Sequence, residues 1–222
     1  MTFKANDSLT EQIAQYLEKR IILGEMKPNE RIQELRIASE LEVSRGSVRE
    51  ALLILQRRHL VEIFPRRGAI VASISPQDVR DFFDLWLMLL DKVVSHLAHS
   101  WKNDDLAQFF ELMTQLGESQ RNDDLEAFYE QGMTFLHTLY QYSGNQYLTQ
   151  MLVDLLPLTR RCLFAILRAG RSQIDRTQLF LEDLLKAIIA RDASAARRMT
   201  QEFGQGYSQL AQASADALEG RG

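Results

Sequence analysis

Proline falls almost wholly at one end of this chain. Of four prolines in 222 residues, Pro28, Pro65 and Pro76 lie in the first 76 positions and only Pro157 comes later. Proline lacks a backbone donor and clashes with the preceding helical turn, so it ends or kinks helices. The early part is therefore built of short, punctuated elements, while the stretch from Gln77 onward is open to long helices. There the apolar residues follow the helical period, and the spacing predicts helices over 77–100, 103–119, 123–142, 146–169, 173–190 and 192–216. The breaks at "WKNDD", "QRNDD", "SGN", "RAGRSQ" and "ARD" are short, as in an antiparallel helical bundle.

The first 75 residues read differently. Leu9–Gly24 is a first helix with Ile13, Leu17, Ile21 and Ile22 on its buried side, and "GEMKPNER" is a turn. "IQELRIASELEV" is a short second helix with Leu35, Ala38 and Leu41 inward. The third helix buries Val48, Ala51, Leu52 and Leu55; Ser44 or Ser47 can cap it, and Ser47-x-x-Glu50 has capping-box spacing. "LVEIF" and "AIVASI", joined by "PRRG", read as a β-hairpin. Three helices and a hairpin make a winged helix-turn-helix. Ser75 and Pro76 suit the N-cap and first position of the next helix. The expected fold is thus mostly α: a winged helix-turn-helix domain over 1–75, then an all-helical domain over 76–222.

Charge divides along the same line. The chain is acidic, with a net charge of −4, yet residues 1–75 hold 12 Lys and Arg against 10 Asp and Glu, while the remainder holds 14 against 20. A basic N-terminal part on an acidic body is compatible with a polyanion partner. The single cysteine, Cys162, makes no intrachain disulfide and no cysteine-based zinc site. It suits a reducing, cytoplasmic setting. "MTFKANDSLTEQ" lacks the apolar core of a signal peptide, and no apolar run is long enough to span a membrane.

The arginines of the third helix carry the chemistry. Arg45 and Arg49 stand at its N-terminal end, where a recognition helix meets base edges, and arginine paired with guanine O6/N7 is the commonest specific base contact. Gly46 and Ser47 are small enough for close approach. Arg57 and Arg58 sit at the far end, where the helix dipole favours cations, and are expected to close the helix rather than touch DNA. The stretch from Leu9 to Ala72 resembles the DNA-binding domain of GntR-family bacterial transcription regulators. The likeness lies in Gly24-x-Met26-x-Pro28, in "VSRGSVREALLIL", in Leu60-Val61 and in Arg66-x-Gly68-Ala69-x-Val71. It implies that Arg45 and Arg49 read bases, that Ser44 and Ser47 meet phosphate or base, and that Arg66, Arg67 and Gly68 form a minor-groove wing. Arg36 becomes a phosphate or base contact. The chain departs from the family pattern at Asn29, Glu42 and His59, each in place of a glycine.

The helical remainder resembles the effector-binding FCD domain of the FadR-type branch, through "FLHTLYQYSGNQYL" and "LLKAIIARDASAARRMTQEF". Many such domains hold a divalent metal through one Asp and three His, near an arginine that pairs with a carboxylate effector. Aligned on these motifs, the metal positions carry Gly132, Leu136, Leu181 and Phe203, and the early Arg and Glu become Trp86 and Leu90. Those side chains do not ligate a cation, so neither metal nor other cofactor is expected. His137 lies one residue from a ligand position, about 100° round the helix, and reads as an ordinary histidine.

The resemblance therefore implies a pocket of apolar character. A fatty acid or acyl-CoA is one effector class, with Arg160, Arg161 and Arg168 available to its head group. A small polar metabolite, or a filled core with no ligand, are the alternatives. The leading expectation is a homodimeric regulator that reads a palindromic operator on double-stranded DNA under effector control. An enzyme is not expected: there is no phosphate loop or catalytic constellation, and the "NDD" pairs at 103–105 and 122–124 suit helix starts. An architectural DNA binder is a third reading, with no use for so large a helical domain.

Overall fold

The computed structural model describes residues 8–219, with side chains described to residue 215; most of the segment read for a leader lies outside them. The described chain divides into two compact units: one up to Ile74 together with Pro157–Arg161, the other Ser75–Leu156 with the chain from Cys162 onward.

The first unit runs α1 (Leu9–Ile22), β1 (Arg31–Ile32), α2 (Glu34–Glu40), α3 (Arg45–Arg57), β2 (Val61–Phe64) and β3 (Gly68–Val71). Ser8 caps α1, its side chain accepting from the Glu11 amide. The core joins Ile13, Leu17, Val48, Leu52, Leu55 and Leu60, all at most 2% exposed, so α1 and α3 bury their apolar stripes on each other. β3 is the central strand of a three-stranded antiparallel sheet, with β2 on one side and β1 on the other. β1, two residues long, falls inside the stretch read as turn and second helix.

Two expectations for α2 and α3 are corrected. Leu35 is 68% exposed, not inward. The helix starts only at Glu34 and buries Ile37 and Ala38. Leu35, two residues before Ile37, lies about 200° round the axis from it. The cap of α3 is Ser44, whose Oγ accepts from the Ser47 amide at 3.0 Å. Ser47 is therefore inside the helix, and the Ser47–Glu50 capping box does not form.

The three positions where the resemblance expects glycine carry side chains on left-handed backbone. Asn29, Glu42 and His59 have φ of 64°, 55° and 57°. α2 and α3 both end in a Schellman pattern with the left-handed residue at the position glycine usually takes. Val43 N donates to Ala38 O and Glu42 N to Ser39 O; Leu60 N donates to Leu55 O and His59 N to Gln56 O. The family glycines thus stood where backbone geometry wants them, and this chain keeps the geometry without the residue.

The second unit is helical: α4 (Pro76–Ser100), α5 (Asn103–Arg121), α6 (Leu125–Gln141), α7 (Gln146–Asp154), α8 (Leu156–Leu167), α9 (Arg171–Ile189) and α10 (Ala193–Glu219), with the start of α8 grouped in the first unit. Ser75 and Asp78 form a reciprocal capping box at α4, with Pro76 in its first turn. The aspartates of the "NDD" stretches sit at helix starts: Asp105 accepts from the Lys102 amide at 2.7 Å, and Asp124 caps α6. The single helix expected over 146–169 is two, broken at Leu155 before Pro157, whose ring cannot follow a helical residue four back. α4 and α10 pack along each other. A Cβ at Gly204 would lie 2.1 Å from Leu87 Cδ2, so any larger residue there forces the Leu87 side chain to move. No helix among the described residues is long and apolar enough to cross a membrane.

Candidate nucleic-acid interface and effector cavity

In the first unit the N-terminal half of α3 and the β2–β3 turn enclose a groove of about 650 Å³. Of the residues proposed for DNA, Arg45, Arg49, Arg66, Arg67 and Gly68 line it. Arg36, Ser44, Gly46 and Ser47 do not: Arg36 is exposed on α2, and the other three occupy the cap and first turn of α3. The Ser44 and Ser47 hydroxyls are hydrogen-bonded to each other at 2.9 Å. Arg31, on β1, lines the groove too, and the sequence carries no signal for it, because a two-residue strand leaves no period to read.

The wing turn has a definite cause. Arg67 N donates to Phe64 O at 3.1 Å, closing a four-residue turn with Pro65 second and Arg66 third, at φ 64°. Proline followed by a positive φ is the type II signature. Gly68 follows at φ 89°. Arg66 and Arg67 are exposed on this turn.

Glu34, the first residue of α2, sits among the arginines. Its Oε2 accepts from Arg45 Nε at 2.7 Å and lies 3.2 Å from Arg49 Nε. The Glu34 side chain is 14% exposed, those of Arg45 and Arg49 54% and 64%. Burial alone would raise this carboxyl, but the two guanidiniums outweigh it and hold it below its usual range. At the opposite end of α3, Arg58 reaches back to α1, with Nη2 2.6 Å from Glu11 and Nη1 3.0 Å from Glu18. Burial pushes the Glu18 carboxyl up, against the pull of Arg58. Arg58 thus ties two helices together, a role beyond the helix-dipole one expected from its position.

In the second unit Trp86 and Leu90 of α4, Gly132 and Leu136 of α6, Leu181 of α9 and Phe203 of α10 line one cavity of about 70 Å³. The positions that the resemblance equates with a metal site are therefore neighbours in space, but they offer no donor atom. These residues do not fit a metal. Among the described residues no group of three or more His, Cys, Asp or Glu is placed to hold one. His137 is exposed on α6, while its neighbour Leu136 turns to the cavity. Arg160 and Arg161 do not line the cavity and fall in the segment grouped with the first unit; Arg168 is likewise absent from the lining.

Aromatic side chains form part of the cavity wall. Phe180 and Phe203 stack with centroids 3.8 Å apart and planes 5° apart, and Tyr207 lies 4.1 Å further on. The Tyr207 hydroxyl is hydrogen-bonded to Thr177, and burial pushes its phenol up to about 12. Trp86 Nε1 donates to the Tyr140 hydroxyl at 2.9 Å. Few polar side chains border the cavity, Thr177 and Thr200 among them.

Comparison with known proteins agrees with both units. The family model for gntR-family bacterial regulatory proteins matches residues 9–71, and the FCD domain model matches residues 81–205. The chain is 27% identical over 198 residues to the HTH-type transcriptional repressor GlaR of Escherichia coli (strain K12), spanning 84% of this chain and 88% of that one. It is 23% identical over 158 residues to the gluconate operon transcriptional repressor of Bacillus licheniformis, spanning 71% and 65%. Two solved structures share the fold. E. coli McbR/YncC has TM-score 0.76 and 23% identity, over 97% of this chain and 99% of that one. A putative transcriptional regulator GntR from Rhodococcus sp. RHA1 has TM-score 0.78 and 19% identity, over 92% and 98%. The chain belongs to the GntR family of bacterial transcription regulators, in the branch whose winged helix-turn-helix domain is followed by an FCD domain.

Proposed function

We propose that the protein is a homodimeric repressor that reads a palindromic operator through Arg45 and Arg49 and releases it under control of an apolar effector. The observation that carries the DNA reading is the groove of about 650 Å³, which gathers Arg31, Arg45, Arg49, Arg66 and Arg67 from three separate elements. Convergent arginines beside the N-terminal half of a recognition helix supply both phosphate attraction and guanine readout. Ser44, Gly46 and Ser47 form the cap and first turn of that helix, Arg36 adds an exposed cation on α2, and Arg66, Arg67 and Gly68 form the wing. Two-fold symmetry in the protein calls for two-fold symmetry in the site. Repression is favoured by the names of the GlaR and gluconate relatives.

Selection of binding sequences from random duplexes by the full-length protein tests this reading. A two-fold symmetric consensus is expected. Arg45→Ala and Arg49→Ala each weaken discrimination at one symmetric guanine pair by about 1–3 kcal/mol. Binding without sequence preference at 150 mM salt, roughly physiological, would leave only an architectural DNA binder.

The effector is the finer part of the proposal. The lining formed by Trp86, Leu90, Leu136, Leu181 and Phe203 suits an apolar body. The space between them, about 70 Å³, is far below the roughly 300 Å³ at which ligand sites begin. A fatty acid or acyl-CoA enters only if the Phe180–Phe203 stack parts. The small volume favours a second reading, a filled core that takes no effector. Thermal unfolding with fatty acids of increasing length, and native mass spectrometry of the purified protein, separate the two. A retained or stabilising acyl chain supports the first, and its complete absence supports the second.

A further inference from the structure

The groove is lined by five arginines and a single carboxylate, Glu34. A negative charge at a polyanion site repels every phosphate, whatever the sequence, so it weakens the part of binding that carries no information. Glu34 is held at its position by the start of α2, where the helix dipole favours an anion. It is 14% exposed, and one oxygen, Oε2, serves both Arg45 Nε at 2.7 Å and Arg49 Nε at 3.2 Å.

That geometry constrains what the arginines present. Both contacts use Nε and leave the two Nη nitrogens of each guanidinium, planar donors that match the O6/N7 edge of guanine. Arg45 and Arg49 are four residues apart, a rise of about 6 Å, close to two base-pair steps of about 3.4 Å each. A long arginine side chain loses much rotamer freedom when it docks, and a carboxylate that fixes two of them beforehand removes part of that cost.

We propose that Glu34 is a positioning residue that sets DNA specificity: it holds Arg45 and Arg49 as one pair with their outer edges turned into the groove, and it lowers their affinity for phosphates of any sequence. The proposal rests on the DNA-reading function above. Glu34 makes no base contact in it and acts through the two arginines. Its loss shifts binding from the operator toward random DNA, which a residue needed only for folding does not do.

The test uses the full-length protein and fluorescence anisotropy, with the selected operator and a scrambled duplex of equal length, across a salt series. The variants are Glu34→Gln, which keeps the shape and loses the charge, Glu34→Ala, Glu34→Asp and Arg49→Ala. For Glu34→Gln and Glu34→Ala, binding to scrambled DNA rises at least threefold and the operator-to-scrambled ratio falls at least tenfold. Glu34→Asp recovers most of the ratio. Glu34→Gln with a ratio within twofold of wild type overturns the proposal, as does an equal loss on both duplexes. Wild-type protein without operator preference, or Arg49→Ala with preference unchanged, instead defeats the DNA-reading function beneath it.

Discussion

Phe203 lies flat on Phe180, 3.8 Å between ring centroids, at a position where the FCD resemblance places a histidine ligand. A donor has been replaced by a ring that packs, and its neighbour on α9 packs with it. The change explains why the cavity is apolar and small: Phe203, Leu136 and Leu181 project side-chain bulk where ligand-bearing side chains would surround an ion. Gly132, in the place of the aspartate, adds no donor and leaves part of the residual space. A Cβ there would meet nothing within 4 Å.

Removing the ring should reopen the site. Phe203→Ala is expected to destabilise the helical unit by about 1–3 kcal/mol, less than for a fully buried ring, since a half-buried aromatic is lost and its neighbours close the gap only partly. An apolar cavity of this kind stays dry and takes small aromatic molecules. Both tryptophans, Trp86 and Trp101, lie in this unit, so their fluorescence follows its unfolding. Benzene or indole should raise the unfolding midpoint of Phe203→Ala and leave wild type unchanged. Equal responses from the two proteins would show that the space is not set by Phe203.

Glu42 and His59 hold left-handed backbone at the ends of α2 and α3, both exposed. A non-glycine residue in that region costs about 1–2 kcal/mol, while glycine adds about 0.5–1 kcal/mol of unfolded-state entropy. Glu42→Gly and His59→Gly should therefore each stabilise the first unit by about 0.5–1 kcal/mol. Asn29→Gly should do almost nothing, because asparagine tolerates this conformation. Hydrogen exchange of the α1 and α3 amides measures the difference. Glu42→Gly should also bind operator no more weakly than wild type, having lost a negative charge near DNA. A large loss of affinity would mean that Glu42 contacts the complex directly.

Long-range order was legible in the sequence where one residue type enforces one geometry. Ser75 with Pro76 starts α4, and the apolar stripe of α3 is buried throughout. The motifs around Ser143-Gly144-Asn145 and Asp192 point to Gly132, Leu136, Leu181 and Phe203 on three helices, and all four line one cavity with Trp86 and Leu90 of α4. What escaped lacked such a signature. β1 is too short to show alternation. Leu35 has the apolar character of a core residue, yet it stands on the groove side of a seven-residue helix. The apolar period runs on through Pro157 and masks the division at Leu155, where one expected helix is two. Glu34 has no signature in the sequence, because its meaning arises from Arg45 and Arg49, eleven and fifteen residues away, folding back onto it.

Arg58 offers a contrast with the groove arginines. It bonds Glu11 at 2.6 Å and Glu18 at 3.0 Å, and Glu18 is the more buried partner. Arg58→Ala leaves those carboxylates facing each other with one partner fewer. A loss of about 1–3 kcal/mol is expected, below the full cost of a deeply buried pair because the site is partly wet. The slope of log affinity against log salt should stay that of wild type, and so should the preference for operator over scrambled DNA, which Arg49→Ala relaxes. A lowered slope for Arg58→Ala would place that residue on the DNA backbone.

Tyr207 predicts how the helical unit responds to alkali. Burial raises its phenol from an ordinary 10 to about 12, outweighing the bond to Thr177. Between those values the unfolded chain releases a proton that the folded chain retains, so the unfolded state gains and stability falls as pH rises. Two units correspond to about 2–3 kcal/mol when the titration is complete. Urea unfolding followed by tryptophan fluorescence at pH 8 and pH 11, one unit above the ordinary tyrosine pKa, should show wild type losing about 1–2 kcal/mol more than Tyr207→Phe. Tyr16 and Tyr142 are also raised, but they are shared by both proteins and cancel in the difference. Tyr207→Phe itself should be less stable than wild type at pH 8, because the Thr177 hydroxyl keeps its bond to the Gln173 carbonyl but loses the one to Tyr207. Identical pH dependence in the two proteins would mean that the Tyr207 hydroxyl reaches solvent and that the aromatic packing around it is looser than the Phe180–Phe203 stack implies.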